Sequence, residues 1–220
     1  MMAVVEPTLQ LEHRMLHTYS HLIALDEVGR GALAGPVAVG AVVVDRRCAQ
    51  LPIPQGLRDS KLVPLKQRDA VAQRAQDWVV GFAVGRAEAP EIDEVGIIRA
   101  LGLAASRAIS AVVMHVADSD GVGVLLDGTH DYLSSVHPEK MNVHTVAKGD
   151  RDCASISAAS IVAKVTRDAV MASLHDEYPA YDWQSNKGYA SAHHRAAIRG
   201  LGLTPYHRAS WTIRDAPALF

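Results

Sequence analysis

The chain has 220 residues, of which 49% are apolar and 21% are charged, so its composition excludes a disordered protein and predicts a sizeable core. Its net charge is −2, and we expect no membrane span. No signal-peptide pattern is recognisable, and the two cysteines, Cys48 and Cys153, lack metal-binding spacing, so we expect a cytoplasmic protein.

Hydrophobic patterning predicts five strands and four helices. Residues 1–20 predict a frayed lead-in, and residues 204–220 an irregular segment that ends in a tail at 215–220. Strands are predicted at about 22–25, 37–45, 78–87, 121–126 and 142–147. Helices are predicted at about 64–77, 94–115, 157–178 and 192–200, with Asp93 as the cap of the second. We therefore expect a single α/β domain over residues 21–214, with one mixed central sheet flanked by helices.

Two adjacent carboxylates follow the first predicted strand. The apolar run 22–25 leads directly into Asp26 and Glu27, and then into Gly29, Arg30 and Gly31. Paired carboxylates at the end of a buried strand are costly unless a cation neutralises them, and Mg²⁺ prefers such oxygen ligands. The stretch therefore predicts a metal site beside a backbone-and-arginine clamp for an anion.

The glycines of residues 29–35 also nearly fit a dinucleotide-binding fingerprint. That motif functions only when its glycines open a helix whose N-terminus holds the pyrophosphate. Here Pro36 is followed by Val-Ala-Val-Gly-Ala-Val-Val-Val, which predicts a second strand. The nucleotide-binding interpretation is therefore disfavoured.

Three predicted strands end in acids, because Asp127 and Asp150 follow the fourth and fifth strands as Asp26 and Glu27 follow the first. Either aspartate alone fits equally well as a turn residue beside glycine. Four converging acids would raise one another's pKa values unless metal neutralised them. Together they favour a site for two Mg²⁺ or Mn²⁺ ions, which could activate water for phosphodiester cleavage.

These motifs resemble those of the bacterial ribonuclease HII family, the type 2 ribonucleases H. The most specific stretches are Asp26-Glu-Val-Gly-Arg-Gly-Ala-Leu-Ala-Gly-Pro36 and Ser157-Ala-Ala-Ser-Ile-Val-Ala-Lys-Val165. The other matches, in the family's order, are 59–62, 126–128, 147–150, 167–168, 187–189 and 207–210.

The resemblance implies a ribonuclease H-like core with a helical C-terminal extension. It also implies a metal-dependent endonuclease that acts on RNA–DNA hybrids and on duplex DNA containing ribonucleotides, with no obligate protein partner evident. The family's four metal-binding acids map onto Asp26, Glu27, Asp127 and Asp150. Three nearby acids, Asp131, Asp152 and Asp168, are alternative site residues. For Asp168, which follows Arg167 inside a helix, we expect a local salt bridge or an exposed face, and for Asp152 a solvated loop.

The resemblance also implies substrate contacts. Gly29, Arg30, Gly31 and Tyr189 map onto the elements that read the step from ribonucleotide to deoxyribonucleotide, since a 2′-OH can be detected by backbone groups. Without the family, Tyr189 would be read as a half-buried packing residue. Further expected contacts, to phosphates or through the family's closing motif, are Lys61, Lys148, Ser160, His207, Arg208 and Ser210.

Two departures from the family pattern affect this expectation. Trp211 replaces the usual phenylalanine of the closing motif, and Asp182-Trp183 replaces the usual glycine-phenylalanine before the tyrosine motif, which puts the Tyr189 loop in doubt. His193 and His194 are expected to be surface residues rather than metal ligands, because adjacent residues diverge on a helix.

Two alternative functions remain open. One is a nucleic-acid or nucleotide-binding module that has kept the fold without catalysis, which the presence of all four acids disfavours. The other is a broader RNA–DNA hybrid nuclease without preference for a single ribonucleotide, which the intact Gly29-Arg30-Gly31 and Tyr189 disfavour.

Overall fold

A five-stranded mixed sheet forms the centre of the molecule. The computed structural model describes residues 6–116, 121–137 and 139–211. Its strands are β1 (His21–Val28), β2 (Val37–Asp45), β3 (Gly81–Ala87), β4 (Val122–Asp127) and β5 (Asn142–Val146). They lie in the order β3-β2-β1-β4-β5, with β2 antiparallel to β1 and β3, and β4 parallel to β1 and β5. The α/β fold with a mixed sheet is thereby confirmed.

Helices cover both faces of this sheet. They are α1 (Gln10–Met15), α2 (Arg46–Gln50), α3 (Arg68–Trp78), α4 (Ala89–Val95), α5 (Ile97–Val112), α6 (Gly149–Asp152), α7 (Ala154–Glu177), α8 (Trp183–Asn186) and α9 (Ala192–Leu201). Alternate residues of β1 and β2 point to opposite faces. Leu22 and Val42 pack towards α3 and α7, whereas Ile23 and Val43 pack towards α5. A third cluster joins α7 to the C-terminal helices around Trp183 and Met171.

The strand directions bring the acids together. Because β1, β4 and β5 are parallel, their carboxyl ends lie at the same edge of the sheet. Leu25 pairs with Leu126, so Asp26 and Asp127 follow at corresponding positions. The antiparallel β2 after Pro36 excludes a dinucleotide-binding turn, as the sequence predicted.

Several element boundaries differ from the prediction. The helix expected over 94–115 is two helices, because Gly96 adopts a positive φ of 77° between α4 and α5. Asp93 lies inside α4 and does not cap a helix, since Glu88 and Glu91 form the capping box. The third strand begins at Gly81 because Trp78 ends α3, and α7 begins three residues before the expected Ser157.

One stretch has the length of a membrane span, contrary to expectation. Ile97–His115 comprises 19 residues and is apolar enough to cross a bilayer. In the structure its buried residues pack against the sheet, including Leu101, Ala104 and Ala108. Its apolar composition is thus explained by its position in the core.

The described part of the N-terminal segment, residues 6–20, is docked, which differs from the frayed lead-in expected there. Thr8 forms a bridge with Cys153, and its amide donates to the Asp152 carbonyl at 3.0 Å. The buried Glu12 carboxylate accepts from the Ser155 amide at 2.8 Å and from Cys153 Sγ at 3.0 Å. Glu12 therefore satisfies a first-turn N–H of α7 from outside that helix.

We expect Glu12→Ala to lower the free energy of unfolding by about 1–3 kcal/mol, because it leaves a buried amide donor of α7 without its partner. Urea denaturation measures this change. The matched control Glu94→Ala removes an exposed helical glutamate and should change stability by less than about 0.5 kcal/mol. Equal effects of the two variants would contradict the capping role.

Candidate active site

A cleft of about 550 Å³ opens at the carboxyl edge of β1 and β4. Residues from the first strand, the loop after it, α7 and the Tyr189 loop form its walls. Nine of the predicted site residues line it: Asp26, Glu27, Gly29, Arg30, Gly31, Lys61, Asp127, Ser160 and Tyr189. The structure thus brings together most of the residues that the sequence singled out.

Asp26 is the most buried acid of the cleft, with 5% of its surface exposed. Its burial raises its pKa well above the usual value, and the nearby charges of Asp127, Glu27 and Asp150 raise it further. A hydrogen bond with Ser160 opposes this shift. Ser160 is itself buried, and its hydroxyl oxygen lies 3.0 Å from that of Ser60, so α7 supports the carboxylate through Ser160.

Asp127 and Asp150 are joined by a backbone hydrogen bond. The Asp150 amide donates to Asp127 Oδ1 at 3.0 Å, and the Ser157 hydroxyl donates to the Asp150 carbonyl at 2.7 Å. Burial raises the pKa of Asp127, and the charges of Asp150 and Glu27 add to the effect. Asp150 lies in α6, one short turn beyond β5, and not at the strand end itself.

Two basic side chains lie against the acids. Lys61 Nζ is 3.0 Å from Asp150 Oδ2 and 3.5 Å from Asp59 Oδ1. Burial alone would lower the pKa of Lys61, but Asp150 and Asp59 raise it above the usual lysine value. Arg30 Nη1 is 3.4 Å from Glu27 Oε1. These contacts offset part of the repulsion between the carboxylates.

The donor set suits a hard divalent cation, since it consists of carboxylate oxygens whose mutual repulsion a cation would relieve. Within the described residues, however, no three acidic, histidine or cysteine side chains already form a metal cage. The carboxylates would have to approach one another further to share an ion. The raised pKa values of Asp26 and Asp127 are consistent with this arrangement.

Gly29 and Gly31 differ in what surrounds them. Gly29 has φ +82°, and a Cβ there would lie 2.1 Å from Arg167 Nε, so both conformation and space require glycine. A Cβ at Gly31 would meet nothing within 4 Å. Packing against Arg167 therefore explains why residue 29 is a glycine, whereas the open space beside Gly31 is part of the cleft.

Two predicted substrate contacts from the closing motif, His207 and Arg208, require correction. The side chains of His207 and Arg208 are buried, at 2% and 0% exposure, and do not line the cleft. Arg208 donates to backbone carbonyls, and the Ser210 hydroxyl donates to Asp93. His207 and Arg208 therefore hold the backbone at positions where the sequence pattern suggested contact with substrate. Ser210 is exposed, so its contact with substrate stays a prediction.

Other predicted residues have mixed outcomes. Lys148 is exposed at the start of α6 and does not line the cleft. Asp168 forms the expected local ion pair with Lys164, at 2.6 Å, and exposed Asp152 pairs with Arg151 in α6. Asp131 accepts hydrogen bonds from the Leu133 and Ser134 amides.

The surface position expected for His194 is wrong, since the residue is fully buried in a hydrogen-bonded network. His193 is exposed and lies 3.0 Å from the Ala180 carbonyl. Both histidines are on α9, but only His194 faces the aromatic cluster around Trp183 and Tyr181.

Sequence reasoning assigned no role in the site to three polar cleft residues, Ser60, Arg68 and Lys164. A helical-spacing argument could have found Lys164, because it lies one turn beyond Ser160 on the same face of α7. Arg68 reaches the same area through Asp168, at 3.6 Å. That contact joins distant parts of the chain and leaves no local pattern.

Solved structures with the same architecture are ribonucleases H. The ribonuclease H2 from Pyrococcus horikoshii OT3 matches 88% of this chain and 94% of its own, with a TM-score of 0.67 and 24% identity. Bst-RNase HIII in complex with Mn²⁺ matches 90% of this chain and 70% of its own, with a TM-score of 0.69 and 22% identity. The fold is therefore of the ribonuclease H class.

The sequence comparison identifies the family. The model of the family described as Ribonuclease HII matches residues 23–214. A ribonuclease HII from Streptomyces avermitilis is 44% identical over 214 residues, which cover 96% of this chain and 86% of that protein. The chain belongs to the ribonuclease HII family and is an endoribonuclease, which confirms the resemblance and decides against a binding module without catalysis.

In a metal-chelating buffer, we expect Asp26→Asn to stabilise the protein at pH 8 by on the order of 1 kcal/mol. A carboxyl whose folded-state pKa is raised destabilises the fold progressively as pH rises from its ordinary pKa through its folded value. The advantage of the variant should therefore shrink as pH falls towards about 4.

Urea denaturation across this pH range tests the expectation. The control Asp152→Asn alters an exposed, ion-paired aspartate and should leave stability within about 0.5 kcal/mol of the wild type. A less stable Asp26→Asn protein at pH 8 would count against repulsion and burial as the dominant forces on Asp26.

Proposed function

We propose that the chain is a metal-dependent endonuclease that incises 5′ of ribonucleotides embedded in duplex DNA and cuts the RNA strand of RNA–DNA hybrids, leaving 3′-hydroxyl and 5′-phosphate ends. Family membership supports ribonuclease H activity on hybrids. One observation carries the finer proposal: three of the four acids, Asp26, Glu27 and Asp127, line the same cleft as the Gly29–Gly31 loop and Tyr189. Ribonucleotide removal from DNA in the cytoplasm would be its role.

We infer that Asp26, Glu27, Asp127 and Asp150 would hold one or two Mg²⁺ or Mn²⁺ ions. The support is the oxygen donor set, the burial and carboxylate repulsion that raise the pKa of Asp26, and the Mn²⁺ complex of a protein with the same fold. When bound, such ions supply an activated water and stabilise charge on the leaving oxygen.

Basic residues of the cleft would bind the substrate's phosphates. Lys61, Arg68 and Lys164 all line it, and the raised pKa of Lys61 keeps its amine protonated at neutral pH. Cationic side chains supply most of the sequence-independent affinity for nucleic acids. A local set of this kind suits a protein whose overall net charge is only −2.

The ribonucleotide would be read by the Gly29–Gly31 loop and Tyr189. The space at Gly31 allows a sugar to approach the backbone, where an amide or carbonyl can bond a 2′-OH. Tyr189 is 39% exposed, so its ring can stack on the deoxyribose that follows. Together the two elements would recognise the step from ribonucleotide to deoxyribonucleotide.

A DNA duplex carrying one ribonucleotide tests the proposal directly. With Mg²⁺ or Mn²⁺ we expect a cut 5′ of the ribonucleotide, and none in the presence of a chelator. Asp26→Asn should lower the rate by about a thousandfold or more, whereas Asp152→Asn should retain activity. Gel mapping of the labelled strand gives the position and ends of the cut.

Other outcomes of this assay discriminate between functions. Cleavage of long hybrids without cleavage at the single ribonucleotide would favour the broader hybrid nuclease and reject recognition of the junction. Activity that persists in the chelator would reject metal dependence. Tyr189→Ala should reduce cutting at the junction more than cutting of hybrids, since only the junction presents a deoxyribose to the ring.

We expect Gly31→Ala to lower kcat/KM for the single-ribonucleotide duplex by about tenfold or more while leaving stability within about 0.5 kcal/mol. The added methyl group meets no protein atom but occupies the space through which a sugar would approach. Steady-state kinetics and thermal unfolding measure the two effects. Gly200→Ala, also with open space but on α9, is the control for activity.

A further inference from the structure

A fully buried arginine holds the Gly29–Gly31 loop from beneath. Arg208 Nη2 donates to the Gly29 carbonyl at 2.7 Å, and its Nη1 donates to the Arg30 carbonyl at 2.8 Å. Its Nε and Nη2 also donate to the Gly35 carbonyl, at 3.3 and 3.2 Å. Burial and the charge of Arg167 lower the pKa of Arg208 to about 9, so the guanidinium stays charged at neutral pH.

A second buried arginine links this loop to the Tyr189 loop. Arg167 donates to the Pro36 and Ala34 carbonyls at 2.8 and 3.2 Å, and to the Lys187 carbonyl at 2.9 Å. Its Cζ lies 5.6 Å from the centre of the Tyr189 ring. The two loops therefore share one cation, which is bonded to backbone carbonyls on both sides.

The residue before Arg208 reaches the Tyr189 loop through a second histidine. His207 Nε2 is 3.1 Å from His194 Nε2, and His194 Nδ1 is 2.9 Å from the Tyr189 carbonyl. Since a carbonyl only accepts, His194 carries its proton on Nδ1, and its Nε2 accepts from Trp183 Nε1 at 3.0 Å and from His207. His207 Nδ1 then accepts from the Thr204 amide at 2.9 Å. Burial lowers the pKa of both histidines, which favours this neutral arrangement.

We propose that His207 and Arg208 are positioning residues that fix the separation of the Gly29–Gly31 loop and Tyr189, and so set the preference for a single ribonucleotide in DNA over a long hybrid. The two residues are adjacent in the chain. Arg208 holds the Gly29–Gly31 loop, and His207 holds the Tyr189 loop through His194. The Arg208 amide also donates to the Leu33 carbonyl at 2.9 Å, which ties the pair to the first loop. The inference rests on the proposed function.

The preference follows because only the junction substrate uses both elements. In a long hybrid the sugar that faces Tyr189 is a ribose, so the tyrosine contributes no selective contact and the loop separation matters less. In DNA with one ribonucleotide, the 2′-OH and the following deoxyribose must meet their two elements at the same time. An altered separation should therefore weaken junction cutting selectively.

Kinetics on the two substrates test this role. In Arg208→Lys and His207→Phe, we expect the ratio of kcat/KM for the single-ribonucleotide duplex to kcat/KM for a long hybrid to fall about tenfold or more. The ratio should fall less in His207→Gln, because the glutamine side-chain amide can still donate to His194. Arg199→Lys makes the same chemical change at an exposed position of α9 and should match the wild type.

An equal loss on both substrates, or an unchanged ratio, would overturn the specificity role and leave a packing role only. Amide hydrogen exchange provides a readout independent of cleavage. Arg208→Lys should speed exchange at residues 29–35, and His207→Phe at residues 187–190, and unchanged exchange would overturn the bracing. A wild-type enzyme that cuts hybrids but not the single-ribonucleotide duplex would overturn both the proposed function and the specificity role. The hydrogen-exchange result would still decide whether His207 and Arg208 hold the two loops.

Discussion

The cost of gathering carboxylates in a partly buried cleft is the constraint on which this structure depends. Asp26 and Asp127 are placed side by side by the parallel strands β1 and β4, and the charge of Asp127 adds to the effect of burial in raising the pKa of Asp26. The surrounding polar groups limit that cost: the Asp150 amide, the Ser160 hydroxyl and the Lys61 amine all contact the acids.

The two buried arginines are stabilised in a different way from the acids. Arg167 and Arg208 carry positive charge, but their hydrogen bonds in the described residues go to backbone carbonyls rather than to acids. A planar guanidinium with several donors can satisfy a set of carbonyls that a lysine could not. The loop after β1 therefore takes its shape from side chains that are remote in sequence, which hold it without occupying the cleft.

The parts of the site that the sequence predicts are those with a local pattern. Asp26 and Asp127 follow apolar runs that end at the same sheet edge, so their convergence follows from strand direction alone. His194 and Arg208 have no such pattern, because their burial depends on contacts with segments far along the chain. Family motifs located Arg208 near the site but could not distinguish a residue that touches substrate from one that holds the backbone.

Boundary errors have a related origin. Helical periodicity continues from α4 into α5, and the interruption depends on the backbone conformation of Gly96 alone. The docking of α1 was unpredictable for another reason: a glutamate in a mixed-polarity segment normally faces solvent, and Glu12 is buried only because the start of α7 needs an acceptor. In both cases tertiary structure decides what local propensity leaves open.

The helix α7 sets the distance between the acids and the two loops beside them. Ser157 holds the Asp150 backbone, Ser160 supports Asp26, and Arg167 joins the loop after β1 to the Tyr189 loop. Ten residues separate the first of these from the last, about 15 Å of rigid helix. One inserted residue between them would rotate the two groups by about 100° relative to each other and lengthen the helix by about 1.5 Å. The number of residues in this part of α7 is therefore constrained from both ends of the site.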